Sequence, residues 1–197
     1  MGTETRKSAP DARRRSERAR RAILRAARDL LFRDGFPALT IEGIAARAGV
    51  GKATIYRWWP SKAAVAVDAL MEATVPQIPF PDTGSAREDL TRQLSAVTEF
   101  FTTKAGRALL AVIAEGQHDP PLAKLLAERL IAERRASAGA VFRRGIVRGE
   151  LRPDLDIGIA IDAIYGAVYY RLLVSHAAID PAYAEALIEQ IYPALAR

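Results

Sequence analysis

Lys52, Thr54, Tyr56, Arg57 and Trp58 crowd onto a short stretch of chain that also carries Ile55 and Trp59 at i and i+4. If Ile55 and Trp59 turn inward on a helix over Lys52 to Trp59, the cationic, hydroxyl and aromatic side chains are left outside. That set has donors and positive charge but no nucleophile–base pair, so its chemistry is recognition of a polyanion. Arg57 can donate two parallel hydrogen bonds to guanine O6 and N7, or it can bind phosphate alone; both readings stay open. Thr54 can touch a thymine methyl or a phosphate. Trp58 divides between exposure to DNA and packing against the first helix.

The elements that would position these groups are legible just upstream. Thr40 is an N-cap for a helix carrying Ile41, Ile44, Ala45 and Ala48 at helical spacing. Gly49 ends it where a left-handed residue is needed, and Val50 is the apolar residue of the turn. Pro60 closes the second helix and Ser61 caps the next. Two helices crossing at a tight glycine-containing turn, the second polar and basic outside, form the geometry that enters a DNA major groove.

With those residues in view, the segment resembles the DNA-binding domain of the tetracycline-repressor (TetR) family. The elements are Thr40-Ile41, Ala45-Ala46-Arg47-Ala48-Gly49-Val50 and Thr54-Ile55-Tyr56-Arg57-Trp58-Trp59-Pro60-Ser61-Lys62. Gly51 stands where the family often has serine, which weakens the cap of the recognition helix. Ala53 stands where glycine is common, and Trp59 replaces the usual phenylalanine. The resemblance implies that Tyr56 and Lys62 hold the DNA backbone, with the Thr40 hydroxyl beside them, contacts that fix register without reading sequence. The expected DNA-binding set is thus Thr40, Lys52, Thr54, Tyr56, Arg57, Trp58 and Lys62.

Charge placement agrees. Residues 1–65 carry 15 Lys+Arg against 6 Asp+Glu, whereas residues 66–197 carry 14 against 17. A basic head on a slightly acidic body is the electrostatic footprint of a nucleic-acid-binding protein. The run Arg13-Arg14-Arg15 belongs to an arm expected to be disordered over residues 1–15, either merely solvated or adding phosphate and minor-groove contacts. The absence of cysteine excludes a disulfide framework and thiolate chemistry. The N-terminus does not read as a signal peptide. The most apolar stretch, 157–174, contains Asp162 and Arg171 and reads as buried helix, not as a membrane span. A cytoplasmic protein without cofactor or metal is expected.

The rest reads as helix: 16–34, 62–73, 86–102, 105–117, 121–149, 154–175 and 181–194, giving an all-α chain of about nine helices. Gly139 is expected to bend the long one, and Pro121 and Pro181 fit first-turn positions. Three prolines and a glycine between Val75 and Gly84 break the chain. The domains expected are 16–62 for the helix-turn-helix head and 63–197 for a helical ligand-binding and dimerisation body.

Residues 154–175 are apolar nearly all round, and a helix apolar on every side must be buried on every side, either against a second subunit or wholly inside one chain. The last helix offers another apolar stripe. Ile157, Ile161, Gly166, Tyr170, Ile188, Ile191 and Tyr192 are the expected homodimer contacts, the resemblance implying that the last two helices pair with their copies. A two-fold dimer presents two recognition helices to a palindromic operator. The resemblance also implies a small-molecule effector held among the middle helices. Phe100, Phe101, His118, Tyr165 and Tyr169 are the candidates to line its cavity, although aromatic stripes also serve as plain core. No catalytic constellation is legible: His118 and His176 sit at helix ends, where a cation complements the dipole. A ligand-responsive repressor is the expectation; a helical binding protein or enzyme with an incidental basic head is the alternative.

Overall fold

From residue 11 to 34 the chain contains neither glycine nor proline and is rich in alanine and arginine, both strong helix formers. In the computed structural model, which describes residues 9–197 with side chains from residue 14 onward, this run builds α1 (Ala9–Ala38). Pro10 lies in the first turn, where its missing N–H costs nothing. The arm expected to be disordered over 1–15 is therefore helical from Ala9; its portion over 1–8 lies outside the described residues. Gly35, at φ 79° and ψ 173°, breaks the helical path near its end, and Phe36 turns into the core.

Then follow α2 (Ile41–Ala48), α3 (Lys52–Tyr56) and α4 (Lys62–Thr74). The chain divides into two compact units, one ending at Leu70 and one spanning Met71–Arg197. The boundary expected at 62/63 thus moves into α4. Two contacts accompany this: Ser61 Oγ caps the helix by accepting from the Ala64 N–H (3.2 Å), and the Trp59 indole reaches across to donate to the Asp68 carboxylate (2.8 Å). Both contacts tie the first turns of α4 to the head.

The second unit contains α5 (Ala86–Thr102), α6 (Lys104–Glu115), α7 (Pro120–Leu125), a π-helical stretch (Leu126–Ile131), α8 (Ala132–Val147), α9 (Ile157–Leu173) and α10 (Pro181–Leu195). Counting 120–147 once, the described residues form nine helices and no strand, as the sequence predicts. Asp119, Asp156 and Asp180 each cap a helix, accepting from the Leu122, Ile159 and Tyr183 N–H groups at 3.0, 3.0 and 2.7 Å. The α5 helix is the hub, packing on α6, α8 and α10. At Gly139, where a bend is expected, the helix runs on without a break. The helical irregularity lies instead at Leu126–Ile131, a widened turn of the kind that recurs at functional sites. The proline-rich break holds its shape through buried Asp89, whose carboxylate accepts from the Thr83 N–H and hydroxyl at 2.7 and 2.9 Å and faces Arg144 at 3.5 Å.

Candidate DNA-reading face and internal cavity

In the head, Thr40 caps α2 by accepting from the Gly43 N–H at 3.0 Å, which leaves its own O–H available as a donor. Gly49 sits at φ 67° and ψ 36°, the left-handed conformation that the missing Cβ permits. The α3 helix is shorter than the expected Lys52–Trp59: it ends at Tyr56, and Arg57 and Trp58 form a turn. Pro60 accounts for this, because the residue before proline is biased away from helix. Helix-like bonding still reaches the Trp59 N–H, which donates to the Ile55 carbonyl at 3.0 Å. Ile55 and Trp59 are therefore buried together, as their spacing predicts.

Outside this anchor lie Lys52, Tyr56, Arg57 and Trp58, all exposed, with Thr54 half-buried among them. The Arg57 guanidinium lies 5.9 Å from the Trp58 ring centre, and the Trp58 and Trp59 rings are 6.3 Å apart. Lys52 Nζ meets Glu42 at 3.0 Å. This contact raises the lysine pKa and lowers that of the glutamate, so both stay charged. Lys62 bends back into the head, its Nζ 4.7 Å from the Phe36 ring centre and 3.5 Å from the Phe36 carbonyl oxygen. One feature escapes sequence reading: Asp29 accepts from Arg47 at 2.8 Å and Arg28 at 3.1 Å, joining α2 to α1. No local pattern announces that pairing.

Gly51 caps α3 with no side-chain hydrogen bond, and a Cβ there meets open space. Gly51→Ser should raise the stability of the head by about 0.3–1 kcal/mol through a restored cap and a less flexible unfolded chain, read as a shifted urea midpoint. An unchanged or lowered midpoint would mean that the serine makes no cap.

Within the second unit a cavity of about 330 Å³ opens among α5, α8 and α9, against the widened turn before α8. Of the expected lining residues, Phe101, Tyr165 and Tyr169 line it, with Tyr169 edge-on to Phe101 at 5.8 Å. Phe100 and His118 do not. Successive helical residues point about 100° apart, so only one of Phe100 and Phe101 can face the cavity. His118 is exposed in the turn before α7. Gln93, Arg134 and Thr74 also line the cavity and were missed. The available signal was Gln93 itself, a polar residue inside the apolar stripe Leu90, Leu94 and Val97 of α5. The Tyr165 hydroxyl donates to Gln93 Oε1. Burial pushes the Tyr165 and Tyr169 phenols above their usual pKa, so both are neutral donors.

Of the expected dimer contacts, Ile161 and Ile188 are buried inside their own protomer, a correction. An all-apolar helix does not reveal which of its sides the home core will take. Ile157, Ile191 and Tyr192 are half-buried, and Gly166 and Tyr170 exposed. The side of α9 left open carries Ile159, Ala163, Gly166, Tyr170 and Val174, at spacings of four, three, four and four.

Comparison with known proteins bears on both units. Residues 23–69 match the family profile "Bacterial regulatory proteins, tetR family" and residues 80–191 match "Tetracyclin repressor-like, C-terminal domain". The HTH-type transcriptional regulator YdeS of Bacillus subtilis is 41% identical over 174 residues, 88% of each chain. The DNA-binding transcriptional repressor TetR of Mycobacteroides abscessus is 27% identical, covering 93% of this chain and 96% of the relative. The crystal structure of the TetR family transcription regulator SCO0332 superposes with a TM-score of 0.79 at 38% identity, over 91% of this chain and 99% of that one. No helix of the described residues is long and apolar enough to cross a membrane. A DNA-reading head on a helical unit with an internal cavity, matched by profile across both units and by relatives along most of its length, places this chain in the TetR family of DNA-binding transcriptional regulators.

Proposed function

We propose that the protein is a repressor that binds a palindromic operator as a homodimer and is released when a small molecule occupies the cavity of the second unit. The observation that carries the reading is the outer side of α3 and its following turn. Tyr56, Arg57 and Trp58 are exposed together over the buried Ile55–Trp59 anchor. Arg57 is the base-reading group, and Lys52, Thr54, Tyr56 and Thr40 supply backbone contacts. Lys62 acts from its seat against Phe36, stiffening the end of α1 while keeping its charge near the DNA-facing side. The exposed apolar side of α9 supports the homodimer, because an exposed helical stripe of this kind marks an interaction surface. A cavity of about 330 Å³ falls at the lower end of the range that holds small molecules. The reading involves no catalytic step and no metal.

The test is a titration of wild type and Arg57→Ala against an operator selected from random duplexes and against its scrambled sequence, at two salt concentrations. Arg57→Ala should lose about 1–3 kcal/mol on the operator, with relaxed preference at one base pair per half-site. Scrambled DNA should be bound nearly as before. Equal weakening on both DNAs would reassign Arg57 to phosphate.

A further inference from the structure

The lining of the cavity in the second unit is largely apolar and includes buried polar side chains whose hydrogen-bonding atoms are unpaired. Gln93 and Thr74 are each 1% exposed and both line the cavity. Gln93 Nε2 and Thr74 Oγ1 have no hydrogen-bond partner among the described residues. The amide orientation is set by Tyr165, whose hydroxyl donates to Gln93 Oε1 and leaves the NH2 as the free donor. Native proteins rarely leave such groups unpaired, since each has lost its water without gaining a partner.

The third member is Arg134. Its guanidinium stacks 4.4 Å from the Phe80 ring centre and donates one hydrogen bond to the Ile78 carbonyl at 2.7 Å. The carboxylate that acts on it is that of Glu133, its neighbour in sequence. The other charges on the lining, Arg135 and Asp162, neutralise each other in an ion pair. The cavity lining therefore offers a cation with one hydrogen bond to a carbonyl, a free amide donor and a free hydroxyl. Burial lowers the Arg134 pKa, partly offset by the Tyr165 and Tyr169 phenols and by Glu133.

We propose that these lining groups seat a carboxylate and that the effector is a monoanionic, ring-bearing or aliphatic acid, its apolar body lying against Phe101 and Tyr169. One cation with two neutral donors matches one carboxylate: Arg134 supplies the charge-assisted bonds, and Gln93 Nε2 and Thr74 Oγ1 take remaining lone pairs. A doubly charged phosphate would stay half-compensated. A neutral hydrocarbon would leave all three donors buried and unpaired. The inference rests on the cavity being the effector site, and it specifies the chemistry that site selects.

The test is calorimetric titration of the full-length protein with naphthoic, biphenylcarboxylic and decanoic acids and the primary amide of each. The acid should bind about 10–100-fold more tightly than its amide in at least one pair, as charge-assisted hydrogen bonds require. Arg134→Gln should abolish that preference while leaving amide affinity unchanged. Arg134 also holds the Ile78 carbonyl, so Gln93→Glu serves as an independent variant. It keeps the acceptor for Tyr165 but replaces the free donor with a negative charge, and it should reject the acids and keep the amides. Equal binding of acid and amide would overturn the carboxylate seat yet leave an effector cavity standing. An acid preference that survives both variants would place the anion elsewhere and overturn the seat as well. No binding of any pair at millimolar concentration would remove the seat together with the effector-cavity reading.

Discussion

Trp59→Ala should unfold the DNA-reading head under conditions where wild type is folded. Trp59 is 2% exposed and among the largest fully buried side chains. Its ring lies 5.9 Å from the Arg20 guanidinium, and its indole N–H donates to Asp68 at 2.8 Å. Truncating a buried aromatic to alanine costs about 3–5 kcal/mol, through lost transfer energy and the cavity left behind. A unit of this size has roughly 4–10 kcal/mol of stability in total, so the substitution consumes much or all of it. Trp59→Phe separates packing from hydrogen bonding. It keeps most of the ring and should cost about 1.5–3 kcal/mol, the range for a lost hydrogen bond to a charged acceptor. Urea denaturation with DNA binding measured in parallel distinguishes the two variants. A wild-type midpoint for Trp59→Ala would show that the indole does not hold the head together.

Ile159→Arg should turn a dimer into a monomer and cripple operator binding without harming the protomer. Ile159 is 67% exposed and Tyr170 60% exposed on the open side of α9, and a Cβ added at Gly166 between them meets nothing within 4 Å. These side chains lie largely outside the protomer core, so a substitution at Ile159 should change the protomer's own stability by no more than about 0.5 kcal/mol. In a two-fold dimer the same arginine would lie buried against its symmetry mate or its neighbours, a like-charge pair removed from water. A monomer engages one half-site at a time and forfeits the effective concentration of the second head, a loss of about 10²–10⁴-fold in operator affinity. Light scattering should give the mass of two chains for wild type and of one for Ile159→Arg, and Tyr170→Arg should act alike. A variant that remains dimeric would move the interface off this side of α9, and a monomeric wild type at micromolar concentration would end the palindromic-operator reading.

The sequence by itself determined whatever depends on neighbours along the chain. Thr40, Ser61, Asp156 and Asp180 cap their helices, Gly49 turns left-handed, and Ile55 with Trp59 anchors the reading helix. Each follows from backbone groups or side chains within about one helical turn, so composition and spacing suffice. The tertiary structure decided whatever depends on the absolute rotation of a helix or on groups distant in sequence. On α9, apolar all round, periodicity could not say that Ile161 faces the home core while Ile159 and Tyr170 face outward. On α5, adjacent Phe100 and Phe101 are equivalent in composition, and only packing turns Phe101 toward the cavity. Gln93, Arg134 and Thr74 come from separate helices, and no short-range pattern encodes their place on one cavity lining. The boundary inside α4 is likewise accompanied by the reach of Trp59 to Asp68 and not by a break in the chain. Local hydrogen bonding fixes where helices begin and end; the burial of whole faces fixes which side chains meet.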